Sequence, residues 1–201
     1  MDLAGQLIER IARLEPPSII AVSGFGGAGK SSFASALGHR IAAPVVGIES
    51  FIIDRNMSQY ARWEIMDFAR LEREVLRPFR QRQPVQYGHF DWDKNTVGGK
   101  RVLPATGSII VEGVGLFRPD LLPHFALLIW VDCPIQEAIE RGKKRDRDEH
   151  SNGQDELWDG LWKENDEACY FAYQPKESAH FIINNSHQDI PDVEDTRAAR
   201  R

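Results

Sequence analysis

Short apolar runs alternate with longer amphipathic ones along the chain. Ile19 to Val22, Pro44 to Ile48, Ser108 to Glu112, Phe125 to Asp132 and Phe181 to Ile183 have the length and continuity of strands buried on both faces. Between them apolar residues recur at helical spacing: Leu3, Leu7, Ile8, Ile11 and Leu14, then Phe33 to Leu37, then Phe68, Leu71, Val75, Leu76 and Phe79, and later Leu157, Trp158, Leu161, Trp162, Cys169 and Phe171. Pro16-Pro17 stops the first helix, the second is expected to end near Gly38, and a further helix is expected to start at Pro134. This alternation predicts an α/β fold of three layers, a mainly parallel sheet flanked by helices. With 201 residues, 42% of them hydrophobic, a single domain over 1–201 is expected.

Two stretches break the pattern. Within 84–103, Val85, Tyr87, Phe90 and Trp92 mix with Asp91, Asp93, Lys94, Gly98 and Gly99, which predicts a small hairpin-like β insertion. Its aromatics either face a ligand or pack the insertion onto the body. The segment 189–201 is polar and is expected to be a frayed tail.

A net charge of −5 and a pI near 5.7 argue against nucleic acid or an anionic membrane as the main partner, because both demand a basic face. The longest apolar run, Phe125 to Val131, is far short of a membrane span. Cys133 and Cys169 stand in no metal or redox spacing, and the first ten residues lack the basic start and apolar core of a signal peptide. A cytoplasmic protein acting on a small molecule is expected, with homo-oligomerisation left open.

The first strand runs into Gly24-Phe25-Gly26-Gly27-Ala28-Gly29-Lys30-Ser31, which fits G-x-x-x-x-G-K-[ST] position for position. Glycine at 24, 26, 27 and 29 permits positive φ and close approach, so that several N–H groups can point into one concavity. Such a hollow suits a polyphosphate. A helix starting near Lys30 adds unpaired amides and the positive end of its dipole, Lys30 a mobile charge, Ser31 a hydroxyl for magnesium, and Ser32 a second hydroxyl. Residues 24–32 are therefore expected to bind ATP within a P-loop NTPase fold.

Ligands of open parallel sheets lie beyond the carboxyl ends of the strands. Glu49, Glu112 and Asp132 all stand at such ends. Glu112 is favoured for Mg²⁺ because its glycine neighbours allow close approach, whereas Asp132-Cys133-Pro134 reads as a helix start. Glu49 is placed by its strand end at the expected reaction zone. The basic residues from Arg141 to Arg147 are expected to form a lid over 141–155 that supplies charge in the transition state. The alternative is a surface ion-pair cluster.

Over nearly its whole length the sequence resembles the uridine kinase-like branch of the P-loop kinases, which includes phosphoribulokinase and bacterial pantothenate kinase. The resemblance rests on Ser23 to Ser32, Ile48-Glu49-Ser50-Phe51, Phe90-Asp91-Trp92, Ile110 to Val114, and Arg141 to Asp146 following Val131 to Pro134. It implies transfer of the γ-phosphoryl of Mg-ATP to an alcohol, first a nucleoside of the uridine or cytidine type. Under it Glu112 is the magnesium-associated glutamate, Arg141 and Arg145 are lid arginines, Lys30 is catalytic, Glu49 or else Asp54 acts as base toward the acceptor hydroxyl, and Phe90, Asp91 and Trp92 contact the acceptor. Phe51 and Tyr87 complete the expected acceptor site. The chain departs from the family at Glu49, where aspartate is usual, at Ile52, where tyrosine is usual, and at Asn95, near a base-contacting histidine of nucleoside kinases. Pantothenate or a sugar therefore stays open as acceptor, and a regulatory ATPase switch is the alternative of a different class.

Overall fold

In the computed structural model residues 3–54, 56–150, 153–186 and 193–195 are described. The strands are β1 (Ser18–Gly24), β2 (Val45–Gly47), β3 (Val85–Asp91), β4 (Thr96–Leu103), β5 (Ser108–Glu112), β6 (Leu127–Asp132), β7 (Phe181–Asn184) and β8 (Val193–Asp195). The helices are α1 (Leu3–Ala12), α2 (Lys30–Ile41), α3 (Phe68–Leu71), α4 (Arg77–Arg80), α5 (Ile135–His150), α6 (Asp155–Asp159), α7 (Leu161–Tyr173) and α8 (Pro175–Ser178). A π turn, Glu72–Leu76, joins α3 to α4, so 68–80 is one helical run.

The sheet order is β2-β5-β1-β6-β7-β8, with every neighbour parallel except β8, which runs antiparallel to β7. The parallel strands are apolar on both faces because both are covered. Ile19, Ala21, Ile109, Val111, Leu128 and Trp130 pack toward the run 68–80 and α7, and Ile20, Val22, Ile110, Ile129 and Val131 pack toward α1, α2 and α5. Three layers result. The outer pair β3 and β4 forms a separate antiparallel hairpin.

Four expectations change. Gly38 lies inside α2, which continues to Ile41 and ends on Ala42 in the left-handed region; a Cβ at 38 would stand 2.8 Å from the Ala43 carbonyl oxygen, so this glycine serves close helix packing. The helix from 135 continues to His150 instead of dissolving into a polar loop at 149, supported by pairs such as Glu137 with Arg141 and Glu140 with Lys143. Gly160, at φ −111° and ψ −104°, divides the expected helix over 157–171 into α6 and α7. Within the expected tail, Val193–Asp195 adds a sixth strand; the rest of 189–201 lies outside the described residues.

Candidate active site

β1, β2, β5, β6 and β7 all end at one edge of the sheet, where Gly24, Gly47, Glu112, Asp132 and Asn184 stand side by side. The loop 24–29 leaves β1 there and enters α2 at Lys30. Two of its four glycines need their special backbone: Gly27 has φ 77° and Gly29, the helix N-cap, φ 93°. A Cβ on Gly27 would lie 2.0 Å from the Ala138 carbonyl oxygen, so α5 presses directly against the loop. Gly24 lacks positive φ, yet a Cβ there would meet the Val131 carbonyl oxygen at 2.5 Å. Close approach, rather than φ, is its reason.

The Phe25 side chain turns inward, packing edge-on to Trp130 at 5.5 Å and against Tyr170 at 5.4 Å, and so anchors the loop to the core. From the other side Asn185, just beyond β7, donates to the Ala28 carbonyl oxygen at 2.8 Å. Lys30 is buried and its Nζ donates to the Phe25 carbonyl oxygen at 2.8 Å, which curls the ammonium back across the loop mouth. Ser31 and Ser32 stand exposed in the first turn of α2.

Glu112 is buried beside this group. Its carboxyl is pushed up to about 7, first by burial and then by the charge of Glu49, against the opposing pull of Lys30 and a hydrogen bond from Ser31. Its Oε2 is buried without a hydrogen-bond partner. Glu49 lies in the short 3-10 turn Ile48–Phe51 after β2, its carboxylate exposed. Two carboxylates, one of them with an orphaned oxygen, a hydroxyl and an ammonium thus converge at the loop, and that donor set fits a hard dication beside a polyphosphate.

Other candidates lie elsewhere or are engaged. Asp54 accepts from the Asn56 amide and, at 3.1 Å, from the Tyr60 hydroxyl. Asp132 is held by Lys176 at 2.7 Å and by the Trp130 indole at 3.1 Å. Arg141 donates to Glu137 at 2.6 Å and to the Asn185 carbonyl oxygen at 2.7 Å, and Arg145 donates to Asp146 at 2.9 Å. Lys143 with Asp159 and Arg147 with Asp155 complete an ion-paired face spanning α5 and α6. In the hairpin region Phe51 and Tyr87 are buried and stacked on one another at 5.5 Å, and Phe90 is buried too. Of the expected acceptor aromatics these three pack the insertion to the body, and Trp92 is half exposed. Asp91 is tied to Lys94 at 2.9 Å.

One site residue escapes the motif entirely. Asp166, buried in α7, accepts from the Gly26 amide at 2.7 Å and from the Trp63 indole at 2.7 Å, and burial pushes it up to about 6 against the charge of Lys30.

No protein-family model matches the sequence, and no curated protein matches it. Solved structures match it in fold. A structure described as a possible uridine kinase from Bacillus stearothermophilus aligns with a TM-score of 0.60 and 17% identity, over 88% of this chain and 98% of its own. A Silicibacter sp. protein provisionally assigned as a fructose transport system kinase gives 0.66 and 24%, over 87% and 94%. D-glycerate 3-kinase from Cryptococcus neoformans gives 0.67 and 10%, over 96% and 97%. The chain shares the fold of these structures, three layers around a mainly parallel sheet. Residues 24–32, Glu49 and Glu112 gather at the carboxyl-end edge of its parallel strands. Among the described residues no helix is long and apolar enough to cross a membrane.

Proposed function

We propose that the chain is an ATP-dependent phosphotransferase that moves the γ-phosphoryl of Mg-ATP to an alcohol group of a small molecule. The observation that carries this reading is the convergence of Lys30, Ser31, Glu112 and Glu49 at the mouth of the glycine loop.

The loop amides and the start of α2 bind the phosphates, and Lys30 leaves the Phe25 carbonyl to meet them. Ser31 and Glu112 would hold magnesium, the Glu112 Oε2 gaining the partner it lacks. When bound, the ion neutralises charge on the phosphate oxygens. Transfer through a loose transition state asks for alignment and charge more than for covalent help, so the chain's own contribution is a rigid loop, anchored by Phe25 and Asn185, and the Lys30 ammonium that swings onto the phosphates. Glu49, exposed and in no ion pair among the described residues, orients the acceptor hydroxyl and takes its proton; Asp54 is the second candidate, already engaged by Asn56 and Tyr60.

A nucleoside of the uridine or cytidine type is the first acceptor to test. The burial of Phe51, Tyr87 and Phe90 favours a second reading, a smaller hydroxyl compound such as pantothenate or a sugar, because it leaves Trp92 as the exposed ring of that set for stacking on a base. ADP release measured with and without uridine, cytidine, pantothenate, fructose and glycerate tests both. Release that depends on one acceptor supports the kinase, and release indifferent to all of them supports a regulatory ATPase instead.

A further inference from the structure

Asp166 is a buried carboxylate that the transfer described above does not use. It is 6% exposed, and both oxygens are taken: Oδ2 by the Gly26 amide and Oδ1 by the Trp63 indole, each at 2.7 Å. Its neighbour Asn165 accepts from the Trp63 amide at 2.8 Å, so α7 and the segment around 63 are clamped together above the loop. Trp158 of α6 completes the cover: a Cβ on Gly26 would lie 3.1 Å from its ring, and one on Gly142 of α5 would lie 2.3 Å from it.

A negative group therefore sits on an amide of the very loop whose amides cradle polyphosphate. Lys30 makes no ion pair with it; its ammonium is spent on the Phe25 carbonyl. One N–H cannot serve two anions at full strength, and an ionised Asp166 left in place would face the incoming phosphate across a low-dielectric gap. We propose that Asp166 is an internal occupant of the phosphate seat that sets nucleotide affinity, and that Mg-ATP binds by displacing its carboxylate from Gly26. The inference rests on the reading of residues 24–32 as an ATP site. A brace that merely shapes the loop would act in the opposite direction, because removing it would weaken binding.

Calorimetric titration of Mg-ATP into the parent chain and Asp166→Asn separates the two. Asparagine keeps the size of the side chain and an acceptor for Gly26, but it removes the charge and turns an N–H group toward the Trp63 indole N–H. Binding about tenfold tighter in the variant is expected, in line with relief of like-charge crowding. Unchanged or weaker binding, with the parent binding normally, overturns this proposal alone; no binding by either protein overturns the ATP reading and the proposal with it. Should the variant fail to fold, the indole N–H resonance of Trp63 in the parent, assigned with Trp63→Phe, gives the same answer. It is expected to shift when Mg-ATP saturates the site and the carboxylate leaves, and an unmoved resonance overturns the displacement.

Discussion

Arg70 donates to the carbonyl oxygen of Ser50 at 2.7 Å, and Ser50 directly follows Glu49. The same buried guanidinium donates to the Gly88 carbonyl oxygen of β3 at 3.0 Å and stacks over the Phe51 ring at 4.6 Å. One side chain thus ties the turn that carries Glu49 to the hairpin and to the run 68–80. Arg70→Met is expected to remove the two charge-assisted hydrogen bonds to backbone carbonyls and the longer one to Glu74, at a cost of about 2–4 kcal/mol, and to slow transfer with little change in ATP affinity. Thermal melts, kcat and Mg-ATP binding checked together would show it; a variant of parental stability and rate would mean that the staple does not position Glu49.

Lys30→Ala is expected to abolish ATP turnover, by at least about a hundredfold, while the fold survives. Among the described residues the ammonium hydrogen-bonds to a carbonyl of its own loop, so its loss leaves no other charged group unpaired. Circular dichroism and ADP release are the two readouts, and substantial residual turnover would remove Lys30 from the mechanism.

Glu49→Gln keeps the shape of the side chain and removes its basicity. Transfer is expected to fall by about 10²–10⁴-fold, the usual worth of a general base, with Mg-ATP affinity nearly unchanged. Equal activity in variant and parent would exclude Glu49 and turn attention to Asp54.

Stability should depend on pH through Glu112 and Asp166. Burial raises both above the ordinary carboxylate range, to about 7 and about 6. Each favours the folded state most when protonated, so the stability it contributes is complete below the unfolded value near about 4 and is lost as pH rises through the folded one. The ligand-free protein is expected to lose on the order of 5 °C in Tm between pH 5 and pH 8, and Glu112→Gln to flatten the upper part of that decline. A Tm that climbs across this range would contradict the burial of two ionisable carboxylates.

The parts of this molecule that were legible in its sequence are the local ones. Continuous apolar runs predicted the parallel strands because such strands are covered on both faces, and the spacing of Gly24, Gly29, Lys30 and Ser31 marked the loop because each position has its own steric or chemical demand. Gly160 and Gly38 misled in opposite directions: one breaks a helix whose apolar spacing continues through it, and the other sits inside a helix because β2 lies too close for a side chain. Asp166 and Arg70 carry no motif, since their partners Gly26 and Ser50 lie 140 and 20 positions away. Asn185 was within reach, because it follows a strand at the edge where the other site residues gather. The aromatic residues of 84–103 could not be divided by pattern into buried and exposed; stacking of Phe51 on Tyr87 decides it, and that contact joins separate elements.

Phosphorus NMR of a reaction containing the chain, Mg-ATP and the acceptor that stimulates ADP release is the most direct measurement of what the site does. A phosphomonoester resonance growing in equal amount with ADP, and absent with Lys30→Ala, is the expected result. ADP accompanied only by inorganic phosphate would contradict transfer to an alcohol.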